Sequence, residues 1–325
     1  MKALITGADG FIGSHMTELL FSEGYDLKVL SQYNSFNNWG WLEDLSCKDK
    51  IEICSGDIRD SSFCQTICSN VDIVFNLAAL IAIPYSYIAP RSYLETNTIG
   101  SFNIAEACHK NKVGKLIHIS TSEVYGTANY IPIDEKHPFK PQSPYSASKI
   151  AADAMVMSFY YSYNYPITIV RPFNTFGPRQ SARAIIPTII SQILSNTGTV
   201  QLGDLSPTRD LNYVKDTCKA TMLISNSDEA VGKTVNIGSN EEISMLSLYK
   251  LICEIMEKEV DYTVDEKRKR PNSSEVQQLL CDNSLLKKLT KFNNEFSLKE
   301  GLTETINWFS KKENIEKYKS NIFNL

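Results

Sequence analysis

The chain is predicted to be an α/β protein, a doubly wound parallel sheet with a smaller α+β substrate domain toward its C-terminus. Three observations predict it. Short apolar segments alternate with amphipathic ones through the first half. A glycine-punctuated turn joins the first apolar segment to the first amphipathic one. After about Phe173 that rhythm stops and longer helical stretches take over.

Residues 2–6, 27–30, 51–54, 71–77, 115–121 and 166–171 read as strands. Several are apolar throughout, which suits a parallel sheet covered on both faces. Between the first two, Ile12, Met16, Leu19 and Leu20 share one helical face, and Gly24 suits the stop. Strand–helix alternation of this kind implies right-handed crossovers. Further on, residues 181–194 read as a helix, 200–202 and 235–237 as strands, and 245–256 as an amphipathic helix. Leu298, Leu302, Ile306 and Phe309 mark a last helix. The expected division is 1–172 for the first domain, with 212–240 returning to it, and 173–211 plus 241–325 for the second. The mixed-charge stretch 257–270 reads as a surface loop around one strand, its 267–270 basic run as a solvated turn.

Composition narrows the function classes. At ~150 residues per domain, 325 residues suggest about two domains. Hydrophobic residues at 42% and charged ones at 22% argue against a disordered chain. Lys plus Arg number 33 against 37 Asp plus Glu, a formal charge of −4, so a nucleic acid is not the expected partner. No apolar run approaches the ~18–20 residues of a membrane span. The apolar piece after Lys2 is too short for an export signal, and no two of the eight cysteines form C-x-x-C. Reduced thiols and a cytoplasmic location are therefore expected, with no metal. Cys64 and Cys68, one helical turn apart, read as buried small side chains.

The first turn carries chemistry. Thr6-Gly7-Ala8-Asp9-Gly10-Phe11-Ile12-Gly13 follows a strand and opens a helix. Gly7 permits the tight turn, Gly10 lets backbone approach a pyrophosphate, and Gly13 lets helix and strand pack closely. A diphosphate then meets free N–H groups at a helix N-terminus. This is the setting of a Rossmann-like dinucleotide site. The second strand ends in Ser31-Gln32-Tyr33-Asn34, without the acid that would bind the adenosine ribose. No Arg or Lys stands there for a 2′-phosphate either. Ser31 and Asn34 fit either cofactor, so NAD is preferred and NADP stays open. Asp57-Ile58, after the third strand, suits an adenine amino group or a simple turn.

Tyr145 and Lys149 stand four apart, so one helical face presents both. A nearby ammonium would bring the phenol toward a usable base near neutrality. Upstream, Ser120-Thr121-Ser122-Glu123-Val124-Tyr125-Gly126 lies at the carboxyl end of the fifth strand, the edge where open α/β sheets bind ligands.

With these motifs together, the chain resembles the extended short-chain dehydrogenase/reductases over nearly its whole length. Ser120–Gly126 resembles the sugar-nucleotide 4,6-dehydratases within them. Residues 34–42 (NSFNNWGWL), 78–87 (AALIAIPYSY) and 171–183 (RPFNTFGPRQSAR) resemble more closely the nucleotide-N-acetylglucosamine 4,6-dehydratases of bacterial legionaminic acid biosynthesis. The resemblance implies catalytic roles for Thr121, Glu123, Tyr145 and Lys149. It implies cofactor contacts from Gly7, Gly10, Phe11, Ile12, Gly13, Asp57, Ile58, Asn76, Ala78 and Lys149. Asn174, Arg209 and Arg270, with Ser122, are implied to hold the sugar nucleotide. For the two arginines a surface ion pair is the alternative, and bidentate contact with a diphosphate the preferred reading. A homodimer or larger homo-oligomer, through helices near 93–109 and 145–162, is implied as well.

One position departs from the pattern. Dehydratases acting on dTDP-glucose carry Asp between the Thr and the Glu, and here Ser122 stands there. Thr-Ser-Glu also occurs in GDP-mannose dehydratases and UDP-glucuronate decarboxylases. The implied reaction is oxidation at C4 of GDP- or UDP-N-acetylglucosamine, loss of water across C5–C6 and hydride return to C6, with Glu123 as both base and acid. A UDP-glucuronate decarboxylase and a sugar-nucleotide 4-epimerase are the alternatives.

Overall fold

The structure, a computed structural model, describes residues 1–195, 198–320 and 322. Strands β1 (Lys2–Thr6), β2 (Asp26–Gln32), β3 (Glu52–Gly56), β4 (Ile73–Asn76), β5 (Lys115–Ile119) and β6 (Ile167–Pro172) form when apolar runs are buried on both faces. Ala3, Leu4, Ile5, Val29, Phe75, Leu116, Ile117 and Val170 have no exposed surface. Each such Leu, Ile or Val contributes ~1.5–3 kcal/mol by leaving water. Past β6 come β7 (Asn174–Phe176), β8 (Thr199–Leu202), β9 (Thr208–Tyr213), β10 (Thr234–Ile237), β11 (Glu242–Ser244), β12 (Asp261–Val264) and β13 (Gln278–Leu279).

The main sheet has seven strands in the order β10-β6-β5-β4-β1-β2-β3, all parallel. Helices Phe11–Ser22, Ser61–Ile67, Gly100–Lys110, Pro144–Tyr163 and Val214–Ser225 flank it, so the doubly wound α/β, Rossmann-like expectation holds. The strand order reverses between β1 and β4, both pairing with a different neighbour on the far side. A crevice opens at such a point beyond the carboxyl ends of the strands. Segment 234–237 joins this sheet beside β6, while β9 organises a second one with β7, β11 and β13. Strand β12 pairs only with β8.

Two departures from the sequence expectation have local causes. The helix expected over 181–194 starts at Ile185, because Ala184 is extended (φ −88°, ψ 153°) and closes an irregular loop. Strand β9, TRDLNY, was not expected at all. Its Asp210 is fully buried yet accepts bonds from Ser239 N and Oγ, Asn240 N and Cys281 N at 2.7–3.1 Å. Those bonds hide a charged strand that no apolar pattern announces. Cys64 and Cys68 are both fully buried.

Candidate active site

The turn after β1 is built by contacts too close for any side chain. Gly7 has φ +66°, and a Cβ there would lie 2.9 Å from the Ala78 backbone, at the exit of β4. A Cβ on Gly13 would lie 2.1 Å from the Gly7 carbonyl oxygen. Thr6 ties the two strand exits together. Its hydroxyl donates to Asn76 Oδ1 (2.7 Å) and accepts the N–H groups of Leu77 and Ala78 (3.1 and 3.0 Å). Gly10 leads into the first helix without a side-chain cap. The first-turn N–H groups are thus open to an anion.

A cavity of about 1150 Å³ runs from this turn along the strand ends. Gly7, Gly10, Phe11, Ile12, Gly13, Asp57, Ile58, Ala78 and Lys149 line it, as do Thr121, Ser122, Glu123, Tyr145, Asn174, Arg209 and Arg270. Three expected cofactor contacts are absent from its walls. Ser31 is fully buried and its hydroxyl donates to Asp9. Asn34 caps its own loop, bonding Asn38 O, Phe36 N and Asn38 N. Asn76 is buried between Thr6 and His118 Nδ1. In each case the strand end is where expected, but the polar group is consumed by the fold.

Helix Pro144–Tyr163 sets the tyrosine and the lysine. Ser143 and Ser146 form its capping box and Pro144 takes the first position. Tyr145 and Lys149 follow one turn apart, 7% and 3% exposed. Tyr93 meets the Tyr145 ring edge-on at 6.2 Å. Burial holds the pKa of the Tyr145 phenol well above the ordinary value, and the Glu123, Tyr93 and Asp153 charges push the same way, with the Thr121 hydroxyl opposing. This corrects the expectation that Lys149 would draw it toward neutrality. The ammonium instead donates to Ile119 O at 2.7 Å. Burial, chiefly, brings Lys149 down to about 8, with Asp153 opposing.

Behind them lies a buried ion network that sequence reading missed. Asp153 takes Arg171 Nε and Nη2 (3.1 and 2.9 Å) and Ser120 Oγ (2.8 Å). Arg171 Nη1 donates to Tyr125 Oη, which donates to Asn236 Oδ1. Burial would raise the Asp153 carboxyl, but His118 and the Arg171 charge hold it below its ordinary value.

Glu123 sits in a short turn, Ser122–Val124, 8% exposed, its N–H on Thr121 Oγ1 at 3.2 Å. Arg209, on the lining of the same cavity, is buried, which lowers its pKa while the Glu123 and Glu275 charges resist. Arg209 and Arg270 both reach Glu275 Oε1, at 3.1 and 3.6 Å. The two arginines thus meet on an acid the sequence did not single out, in ion pairs that lie at the cavity rather than on the surface. The 267–270 run is not uniformly solvated either. Arg268 and Arg270 line the cavity, whereas Lys267 and Lys269 are exposed. The run opens in a 3-10 turn, Glu266–Arg268, and its backbone becomes extended at Lys269.

Residues 4–305 match the family model of GDP-mannose 4,6 dehydratase. The chain belongs to this family. Human dTDP-D-glucose 4,6-dehydratase is 30% identical over 333 residues, spanning 98% of this chain and 92% of the relative. Among solved structures, the UDP-N-acetylglucosamine 4-epimerase of Methanobrevibacter ruminantium M1 is 33% identical, with a TM-score of 0.84 over 95% of this chain and 97% of the other. The dTDP-glucose 4,6-dehydratase DesIV of Streptomyces venezuelae, with NAD and TYD bound, is 26% identical. Its TM-score is 0.88 over 98% and 99% of the two chains. The family's dehydratases and epimerases thus share this fold along nearly the full chain. Among the described residues no helix is long and apolar enough to cross a membrane.

Proposed function

We propose that the chain is an NAD-dependent 4,6-dehydratase of GDP- or UDP-N-acetylglucosamine, of the kind used in legionaminic acid biosynthesis. The observation that carries this reading is one cavity lined by Thr121, Glu123, Tyr145 and Lys149 together with Arg209 and Arg270, the two arginines paired with Glu275. The glycine turn, packed so closely that a Cβ at Gly7 or Gly13 would meet backbone, fits a dinucleotide, which Gly7, Gly10, Phe11, Ile12, Gly13 and Ala78 would hold. A bound nicotinamide dinucleotide supplies the hydride acceptor and donor, and a positive charge while oxidised.

The chain's own residues move the protons. Tyr145 Oη takes the proton from the sugar O4 as C4 is oxidised, and the Thr121 hydroxyl holds O4. Lys149 supplies positive charge behind the phenol. The 4-ketone acidifies C5–H, and Glu123 removes that proton. The C6 hydroxyl then leaves as water, protonated by Glu123. Once C6 is reduced, Glu123, reprotonated from solvent, returns a proton to C5, and Tyr145 releases the O4 proton to solvent. Such positioned groups contribute roughly 10²–10⁴-fold each. Arg209 and Arg270 hold the diphosphate, and Asn174, whose buried Oδ1 has no hydrogen-bond partner among the described residues, supports the sugar.

Incubation with UDP- and GDP-N-acetylglucosamine, followed by mass spectrometry, tests this. Loss of one water is expected from one of them. A C4-deuterated substrate should carry its label to C6 within one molecule. A decarboxylase would release CO2, and neither it nor an epimerase moves hydrogen from C4 to C6. The 4-epimerase is the second reading, favoured by the epimerases among the relatives, but it leaves a base at Glu123 without a task.

Two predictions belong to this reading. Arg209→Ala and Arg270→Ala should each raise KM about ten-fold or more with a smaller change in kcat, since a charged hydrogen bond contributes roughly 1.5–3 kcal/mol. Unchanged KM in both would remove the diphosphate assignment. Turnover should also decline as pH rises through about 8, where Lys149 loses its proton. Stability moves the other way. Between about 8 and the ordinary 10.5 the unfolded chain binds the proton that the folded chain has lost, so this group favours the fold increasingly as pH rises. Activity lost on the alkaline side should therefore return at neutrality, and a flat pH–rate profile would contradict the assignment.

A further inference from the structure

The end of β2 lacks the acid that commonly holds an adenosine ribose, and Ser31 and Asn34, which stand near it, do not line the cavity. A carboxylate nevertheless reaches that place from another part of the chain. Asp9 Oδ2 accepts the Gln32 N–H at 3.1 Å and the Ser31 hydroxyl at 3.3 Å. Asp9 lines the cavity together with Gln32, Asp57 and Trp41. Its position is rigid. Ala8 N donates to Leu30 O at 3.1 Å, and Trp41 N donates to Asp9 O at 3.0 Å. Gly40 is pressed so closely on Asp9 that a Cβ there would lie 2.6 Å from the Asp9 carbonyl oxygen.

Asp57 is the other acid at this end, and it is already committed. Arg59 Nε donates to both its oxygens, at 3.0 and 2.9 Å. Two bonds from β2 leave Asp9 with acceptor capacity, because an ionised carboxylate offers about four acceptor sites.

We propose that Asp9, from within the glycine loop, supplies the carboxylate that accepts the adenosine ribose 2′-hydroxyl and disfavours a 2′-phosphate. The inference rests on the dinucleotide reading above and adds to it a specificity determinant. A hydroxyl can donate to the carboxylate. A phosphate at the same atom brings like charge against it and has no donor to offer.

The test is calorimetric titration of the full chain, freed of copurified dinucleotide, with NAD+, NADP+ and 2′-deoxy-NAD+. Wild type should bind NAD+ about ten-fold or more tighter than 2′-deoxy-NAD+, as expected for loss of one charge-assisted hydrogen bond. Asp9→Asn keeps an acceptor for Gln32 but removes the charge. Its NAD+ to NADP+ affinity ratio should drop about ten-fold or more at low salt, with an unchanged melting temperature. Equal binding of NAD+ and its 2′-deoxy analogue by wild type overturns the proposal, and this arm needs no variant to fold. An unchanged ratio in a folded Asp9→Asn protein overturns it as well, leaving Asp9 as a cap for β2. If wild type binds none of the three, the dinucleotide reading itself has failed.

Discussion

Tyr145→Phe is expected to reduce turnover by roughly 10²–10⁴-fold, the contribution of one positioned proton acceptor. The phenol oxygen is the group closest to the task. It lines the same cavity as Thr121 and Glu123, and Lys149 stands one helical turn further along. Burial holds the phenol above its ordinary range, so positive charge beside it favours proton transfer to its oxygen. Phenylalanine keeps the ring that packs edge-on against Tyr93 at 6.2 Å. Melting temperature should therefore stay close to that of the parent, which separates lost chemistry from lost fold. With a C4-deuterated sugar nucleotide the variant should retain the label at C4. Wild-type turnover in this variant would remove Tyr145 from the mechanism.

Glu123→Gln is expected to abolish product formation to a similar degree but at a later stage. The amide keeps the size of the side chain and cannot take the C5 proton. Tyr145, Thr121 and Lys149 are untouched, so deuterium should still leave C4. Solvent deuterium should no longer enter at C5, and the 6-deoxy product should fall by roughly 10²–10⁴-fold. Arg209 also pairs with Glu275 at 3.1 Å, so loss of the Glu123 charge should not leave its guanidinium without a counter-charge. That geometry argues against a general collapse of the site. Product at the parental rate would show that another group acts at C5 or that no C5 proton is removed. The two variants together order the steps, since one should stop before C4 loses its hydrogen and the other after.

Much of this molecule could be read along the chain. The strand–helix alternation, the glycine turn and the four-residue spacing of Tyr145 and Lys149 are local patterns. They depend on which face of a short element is buried, or on where backbone must approach backbone, and neighbouring residues encode both. The carboxyl end of β5 could be placed for the same reason, and with it Thr121 and Glu123.

What tertiary structure alone decided is where polar side chains spend their hydrogen bonds. The resemblance implies a cofactor contact at Asn76, but Thr6 and His118, 70 and 42 residues away, take it. Ser31 looks available until Asp9, 22 residues earlier, accepts its hydroxyl. Glu275 has no local signature, yet Arg209 and Arg270 meet on it from different strands and loops. Tyr145 was expected to titrate under Lys149, and the enclosure of the phenol outweighs that neighbour. The physical reason is common to all four. Desolvation and hydrogen-bond partnership are set by atoms brought together across the fold, and a sequence records separation along the chain rather than distance in space.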